Sequence, residues 1–452
     1  MLDINLVRDH PEKVRENLKK KHKDKLLPLV DDTLALDKEW KTLKSQNDDS
    51  RAERNKISQD INTLKKEGKD ASKQIKKAAD IPGEIKCREE KMNELQDKIR
   101  ANLLTLPNII DPSVKVGKDE SENVVVKKWG TPKKPDFELI SHGELAEQLG
   151  IADFERSTKI AGAGFFYLKG DLALLNQALI RFATEHMVKK GYTYVEPPLM
   201  MRHKAYEGVI QLEDFEEVIY KVENDDLFLI ATSEHPLMAM YMDEAIPEDQ
   251  LPIKMTAYSM CFRKEIGSHG VDTRGLFRTH QFNKVEQVVI CKPEESKKFY
   301  DEMLKNSEEF FQALELPYHV LDLCSGDLSA VKAKSCDIEA WMPRQEKYRE
   351  VCSLSNCTDY QTRRLNTKVA DKQGNKYYPH SLNNTVVATS RAMVAILENY
   401  QNKDGSVTVP KVLVPYMMGK KKIEGHKTAT KGTSAPRDPQ ESPSPKKTAK
   451  KK

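Results

Sequence analysis

Between Phe262 and Glu286 the chain carries Arg263, Lys264 and Glu265, then a stretch with Gly267, Gly270 and Gly275. Arg278, Thr279, His280, Phe282 and Glu286 follow. The two ends read as β-strands, so the segment predicts a hairpin with Arg, Glu, Arg, Phe and Glu on its arms. A lone Arg-x-Glu is normally a surface ion pair of little consequence. The full set is rarer. An Arg at a strand end can grip a phosphate through two N–H donors. A Phe on the returning strand offers a flat base a stacking face, and the intervening loop can fold over a triphosphate or an RNA end. His269 and His280 are read as structural or loop residues.

Other elements must hold this hairpin in place. An apolar stripe of Leu172, Leu175, Leu179 and Phe182 predicts a helix from Leu172 to Lys190, capped by Gly191. It leads through Tyr192-Thr193-Tyr194-Val195 to Glu196-Pro197-Pro198. β-type runs follow at Leu229–Thr232, Tyr258–Arg263, Val285–Cys291, Tyr318–Leu323, Asp337–Trp341 and Tyr348–Ser353. Few are a helix apart, which predicts an α+β domain built on a mainly antiparallel sheet. A last helix is expected from about Thr389 to Tyr400, just after Leu382-Asn383-Asn384-Thr385.

Ahead of this domain, residues 31 to about 106 are almost free of Pro and Gly. Leu36, Trp40, Leu43, Asn47, Ser50, Arg54, Ile57, Ile61 and Leu64 repeat in steps of four and three, a heptad seam with a polar middle. Glu67-Gly68-Lys69-Asp70 supplies a turn, and Ile85, Arg88, Met92, Leu95 and Ile99 form a second run. The pattern predicts an antiparallel coiled-coil hairpin roughly 50 Å long at about 1.5 Å per residue. Ile81-Pro82-Gly83 is expected to kink or break its second helix. The hairpin's faces are dense in both signs of charge, which suits either a solvated coiled coil or a nucleic-acid arm. A short helix from Pro11 to about Lys23 precedes it.

The chain has 452 residues and a formal net charge of +4, and its length suggests more than one folded unit. From Gly419 to Lys452 there are ten Lys, one Arg and three acidic residues. This Ser/Pro/Thr-rich stretch is poor in apolar residues and is expected to be a disordered basic tail. The N-terminus lacks a signal-peptide pattern, and no apolar run approaches a bilayer span. Seven scattered Cys suit free thiols in a reducing cytoplasm, with no structural zinc expected.

The helix ending in Glu196-Pro197-Pro198, the 262–286 hairpin, and Leu382–Thr385 with Ala388-Thr389-Ser390-Arg391 resemble, in order, the three signature motifs of class II aminoacyl-tRNA synthetases. In that family the third motif carries more glycine before its Arg; here Thr, Val, Ala and Ser stand there, so the second motif carries most of the resemblance. Ala231-Thr232-Ser233-Glu234, Gly267-Ser268-His269-Gly270, Asp272-Thr273-Arg274-Gly275, Arg349–Ser353, Ser355–Arg364 and Leu382–Thr385 together are similar to seryl-tRNA synthetases. The Ser355–Asp359 block, the Gly-Ser-His-Gly loop and the tail are most similar to the eukaryotic cytosolic form. The resemblance spans the chain and implies three regions. These are residues 1–115 with the tRNA-binding arm (about 31–106), a catalytic domain at 116–418, and the tail at 419–452.

The resemblance also implies roles. Thr232, Ser233 and Glu234 would line a serine pocket, Glu286 would take the ammonium, and Asn383 and Thr385 would read the hydroxyl. Arg263 would bridge the serine carboxylate and the α-phosphate, and Glu265 would face adenine. Phe282 would stack on the base with Arg391 on its other face, and Arg278 and Arg391 would hold the outer phosphates. Lys264, Thr279, Val351 and Cys352 would complete the ATP site. Glu350 and Ser353 would hold Mg²⁺. Implied partners are tRNA(Ser), with tRNA(Sec) where present, ATP, L-serine and a second copy of the chain, in the cytoplasm and away from membranes. Activation joins two anions, which demands positive charge and positioning rather than a general base. Excluding alanine would rest on leaving hydroxyl partners unpaired, a penalty that can reach about 10⁴-fold, whereas threonine needs steric exclusion. Candidate RNA contacts on the arm are Lys41, Lys44, Arg51, Arg54, Lys65, Lys73 and Lys76. The tail could add RNA affinity, or serve solubility or targeting. A ligase loading a carrier protein and a non-catalytic RNA-binding paralogue are the competing readings; the long arm opposes the first, and the complete set of ATP-site residues opposes the second.

Overall fold

The structure is a computed structural model that describes residues 1–211, 218–265 and 275–425. The Gly267–Gly270 and Asp272–Arg274 parts of the hairpin loop and the chain after 425 lie outside it.

Two short helices open the chain, α1 (Ile4–Asp9) and α2 (Pro11–Lys20), the second with Pro11 in its first turn. The arm follows as α3 (Leu27–Lys66) and α4 (Ser72–Thr105), joined by a turn in which Gly68 takes a positive φ. The 40 residues of α3 span about 60 Å. It starts four residues before the sequence boundary at 31, with Pro28 in its first turn, where a missing N–H costs nothing. The polar middle of the seam closes by side-chain pairing. Buried Asn47 donates to Met92 Sδ at 3.7 Å, and Arg88 donates to Ser50 Oγ at 2.9 Å. Arg54 is exposed, so the heptad count misplaces it on the seam. α4 also runs through Pro82 without the break that was one of the two expected outcomes. Ile81 and Ile85, on either side of it, pack on Ile57, and this burial offsets the lost hydrogen bond.

The arm does not stand apart from the rest. At its base Val30, Ile99, Leu103 and Leu106 share one apolar cluster with Val14 and Leu18 of the N-terminal helices and with Val331, Cys357 and Tyr360 of the catalytic domain.

The catalytic domain is built on eight strands: β1 (Val124–Trp129), β2 (Thr193–Tyr194), β3 (Ile253–Phe262), β4 (Gln281–Cys291), β5 (Tyr318–Asp322), β6 (Lys334–Met342), β7 (Lys347–Thr358) and β8 (His380–Ala388). Their order across the sheet is β1-β5-β6-β7-β8-β4-β3-β2, and every pairing is antiparallel except β2 with β3. Leu382–Thr385 lies inside the central strand β8, which runs directly into the expected last helix at Thr389. The predicted run at Leu229–Thr232 shortens to a two-residue strand, Phe228–Leu229.

Three helices, α5 (Gly170–Lys189), α7 (Ser296–Ala313) and α9 (Thr389–Asn399), cover one face and form the main core with it. Two short helices, α6 (Glu234–Ala239) and α8 (Tyr360–Arg364), border the other face. The folded unit runs past the expected limit at Met418. Lys422–Ile423 pair with Val407–Thr408, and Ile423 is buried because its side chain joins the main core. Among the described residues no helix is long and apolar enough to cross a membrane.

Candidate active site

Strand alternation decides which side chains meet. On β4, Phe282, Lys284 and Glu286 are two apart and share the open face of the sheet, while Gln287 turns to the helices and donates to Met303 O at 3.1 Å. On β8 the same rule sends Asn383 and Thr385 to the open face and Asn384 to Met303 O at 2.9 Å on α7. The hairpin predicted from sequence is present: Phe262 pairs with Gln281, Cys261 with Phe282 and Ala257 with Glu286.

β7 breaks the rule. Glu350 and Ser353 are three apart and should point to opposite faces. The register slips between Ile338, which faces Cys352, and Glu339, which faces Glu350. Val351 is the extra residue of a bulge, and it re-aims the strand. Glu350 and Ser353 therefore both line the cavity, whereas Cys352 donates to Val386 O at 3.5 Å inside the core.

The open face encloses a cavity of about 1120 Å³. Thr232, Glu234, Glu286, Asn383 and Thr385 line it, as do Arg263, Phe282, Glu350, Ser353 and Arg391, joined by Glu265, Arg278, Thr279 and Val351. Three expected residues stay away from it. Ser233 is fully buried and donates to Ala257 O at 3.5 Å, because the start of α6 turns it inward. Cys352 is turned away by the bulge. Lys264, next to Arg263, is placed by alternation off the lining, and its backbone N–H donates to Val218 O.

The walls are paired in specific ways. Arg263 Nε donates to Ala231 O at 3.3 Å, and its guanidinium lies 5.2 Å from the Phe282 ring centre. Arg391 meets Glu350 Oε2 at 3.1 Å and sits over Phe277, not Phe282. Lys284 Nζ lies 2.6 Å from Glu286 Oε2, and Thr385 donates to the same oxygen at 3.3 Å. Asn383 Nδ2 donates to Glu234 Oε1 at 3.0 Å, so in this state its amide is committed to a carboxylate.

Burial pushes the Glu286 carboxyl above the usual range; Lys284 opposes that rise and Glu234 adds to it. Burial also acts upward on Glu350, but the Arg391 guanidinium and Lys332 outweigh it, and Glu350 is held low. Its neighbour Asp337 is raised by burial and by the charge of Glu350. Burial holds His235 neutral by lowering it to about 3, which removes it as a cation beside Arg263 and Lys284. His280 accepts or donates through Nδ1 to Tyr220 Oη and stacks on Phe165, a structural placement.

The residues present suit Mg²⁺. Glu350 offers a charged carboxylate and Ser353 a hydroxyl. Asp337, in register with Ser353, has a buried Oδ1 with no hydrogen-bond partner. Among the described residues no three His, Cys, Asp or Glu side chains converge as a complete cage. A one- or two-carboxylate site completed by substrate phosphates and water is the usual habit of this ion.

Sequence reasoning passed over Lys284, Lys332, Asp337 and Gln361, all on the cavity wall. Lys284 was findable, since it stands midway between Phe282 and Glu286 at the two-residue period. Gln361 was not, because only the packing of α8 brings it to the pocket.

The sheet, its three signature elements and this cavity define a class II aminoacyl-tRNA synthetase. The family described as tRNA synthetase class II core domain (G, H, P, S and T) matches residues 218–400, and the seryl-tRNA synthetase N-terminal domain matches 1–110. A serine–tRNA ligase of Methanocella arvoryzae is 54% identical over 93% of this chain and 99% of its own. The seryl-tRNA synthetase of Pyrococcus horikoshii, solved with ATP, is 45% identical with a TM-score of 0.90, covering 94% of this chain and 100% of its own. The chain belongs to the seryl-tRNA synthetase family. The cytoplasmic serine–tRNA ligase of Naegleria fowleri, solved with AMP, is more distant at 37% identity and a TM-score of 0.85, covering 94% of this chain and 99% of its own. The similarity to the eukaryotic cytosolic form expected from sequence is therefore not supported; the higher identities are to archaeal proteins.

Proposed function

We propose that the chain activates L-serine with ATP and transfers it to the 3′ end of tRNA(Ser). The observation that carries this reading is one cavity that gathers Glu234, Arg263, Glu286, Glu350, Thr385 and Arg391 from separate elements of the fold. In the first step a serine carboxylate oxygen attacks the α-phosphorus, the bond to the bridging oxygen breaks, and pyrophosphate leaves. In the second a terminal ribose hydroxyl of the tRNA attacks the acyl carbon and AMP leaves.

Arg263 draws the two anions together, which is where most of the catalytic advantage lies. Glu286 receives the serine ammonium, Thr232 lines the serine pocket, and Thr385, whose hydroxyl lies 3.3 Å from Glu286 Oε2, reads the serine hydroxyl. Phe282 takes the adenine ring, and Arg278 and Arg391 take the outer phosphates. Glu350 and Ser353 would hold Mg²⁺, which when bound neutralises phosphate charge. Asn383 acts on the hydroxyl pocket by fixing Glu234, since its amide is already donated there. The arm would take the tRNA by its phosphates and shape, with tRNA(Sec) a second acceptor where present. A cytoplasmic homodimer completes the reading, and the exposed apolar side chains of Val188 on α5 and Met200 are consistent with a covered surface near the first motif.

The test is exchange of labelled pyrophosphate into ATP by the purified protein with Mg²⁺ and each amino acid in turn, followed by charging of total tRNA. Serine-dependent exchange and serylation are expected, with Arg263→Ala folded but inactive. No exchange with serine would overturn the proposal.

A further inference from the structure

Helix α8 joins the base of the arm to the pocket that holds Glu234. Tyr360 Oη donates to Leu106 O at 2.8 Å, just past the end of arm helix α4. Arg364 Nε donates to Glu207 O at 2.8 Å. Between these anchors Gln361 is 1% exposed, and its amide is fully used. Nε2 donates to Glu234 Oε1 at 2.9 Å and to Val209 O at 3.2 Å, while Oε1 accepts from Ser381 Oγ at 2.7 Å. The Glu234 carboxylate and the Val209 carbonyl can only accept, which fixes the nitrogen end of the amide toward Glu234 and leaves its oxygen for the Ser381 hydroxyl.

Asn383 Nδ2 reaches the same Glu234 Oε1 at 3.0 Å. Two amide groups from different elements thus converge on one carboxylate oxygen. Among the described residues Glu234 Oε2 has no hydrogen-bond partner. A glutamate has three side-chain torsions and would otherwise sample several rotamers at the cavity wall.

We propose that Gln361 is a positioning residue for serine binding: with Asn383 it pins Glu234 by Oε1 and leaves Oε2 as the fixed acceptor for a substrate hydroxyl or ammonium hydrogen. The inference rests on the serine-activating reading above. It adds that the acceptor's geometry is set by a helix bolted to the seat of the arm, so arm base and serine pocket are parts of one rigid joint.

The experiment is pyrophosphate exchange by the full chain with serine and ATP varied separately, comparing the unsubstituted protein with Gln361→Glu. That change keeps the shape and the acceptor for Ser381 but replaces the donor facing Glu234 with a like charge. Serine KM should rise about tenfold or more, the loss expected for a hydrogen bond to a charged group, while ATP KM stays within about twofold. The serine defect should shrink from about pH 8 to about pH 6, because the introduced carboxyl, once protonated, donates again. Unchanged serine KM, or a parallel rise of both KM values with no recovery at low pH, would overturn the inference. If Gln361→Glu does not fold, Gln361→Ala must show the same split between serine and ATP, and its absence has the same consequence. Lack of exchange in the unsubstituted protein would instead overturn the serine-activating reading, and this inference with it.

Discussion

Lys284 Nζ lies 2.6 Å from Glu286 Oε2, and both side chains are closed to solvent, at 8% and 1% exposure. Glu286 therefore has a protein cation beside it before any substrate ammonium arrives. Burial already pushes its carboxyl upward, and Lys284 is the main opposing influence. Removing one partner of a buried pair typically costs about 3–5 kcal/mol when the other stays charged. Lys284→Met should lose stability on that order near pH 8. The loss should be smaller near pH 6, because falling pH favours protonation of the raised Glu286 carboxyl and so reduces the unpaired buried charge. Denaturant melts of both proteins at the two pH values check this. An equal loss at both would mean that Glu286 does not change protonation between them, which would overturn this prediction.

The second prediction concerns the bulge at Val351. It is the reason Glu350 and Ser353 face the same cavity, with Arg391 3.1 Å from the Glu350 carboxylate. Glu350→Gln keeps the shape and removes the charge. Half-maximal exchange should then require about 10–100-fold more free Mg²⁺, the range by which even outer-shell partners tune metal sites. An unchanged Mg²⁺ titration would remove Glu350 from the ion's ligands.

Lys21 gives a pH signature away from the reaction. It is 4% exposed, and its Nζ donates to Ser329 O and Lys332 O at 3.1 and 3.0 Å. Burial pulls its pKa down to about 7, from an unfolded value of 10.5. Between those values the unfolded chain binds the extra proton, so stability rises with pH. The cost of burying the charge is fully present below about pH 7. Compared with Lys21→Met, the natural protein should gain up to about 1.4 kcal/mol per pH unit across that window. The difference in Tm between the two, followed from about pH 7 to about pH 10, should change steadily in the natural protein's favour; a flat difference would count against a strained ammonium.

On the arm, Lys41 is held by Asp37 at 3.3 Å and Arg51 by Glu89 at 2.7 Å. Lys44, Lys65, Lys73 and Lys76 are exposed and make no ion pair among the described residues. Replacing these four by Ala should weaken tRNA charging and leave serine-dependent exchange intact. The salt dependence of tRNA binding should fall by roughly 0.7–0.9 in log–log slope for each phosphate that the variant no longer neutralises. Undiminished charging would place the RNA-binding face elsewhere on the arm.

What the sequence determined was the local grammar. Periods of seven and two laid down a helical hairpin and an antiparallel sheet, because burying an apolar face demands those repeats. The residue types at Arg263, Phe282, Glu286 and Arg391 announced phosphate, base and ammonium chemistry, since few other combinations serve it. The tertiary structure decided what those patterns could not carry. A single bulge residue set the face of Glu350, because strand alternation is a count and an inserted residue resets it. Packing of Ile57 on Ile81 and Ile85 let a helix pass through Pro82 by outweighing a local penalty. The pocket that Glu234 borders is completed by Gln361, 127 positions away in the chain, and that pairing exists only once α8 has docked on the base of the arm.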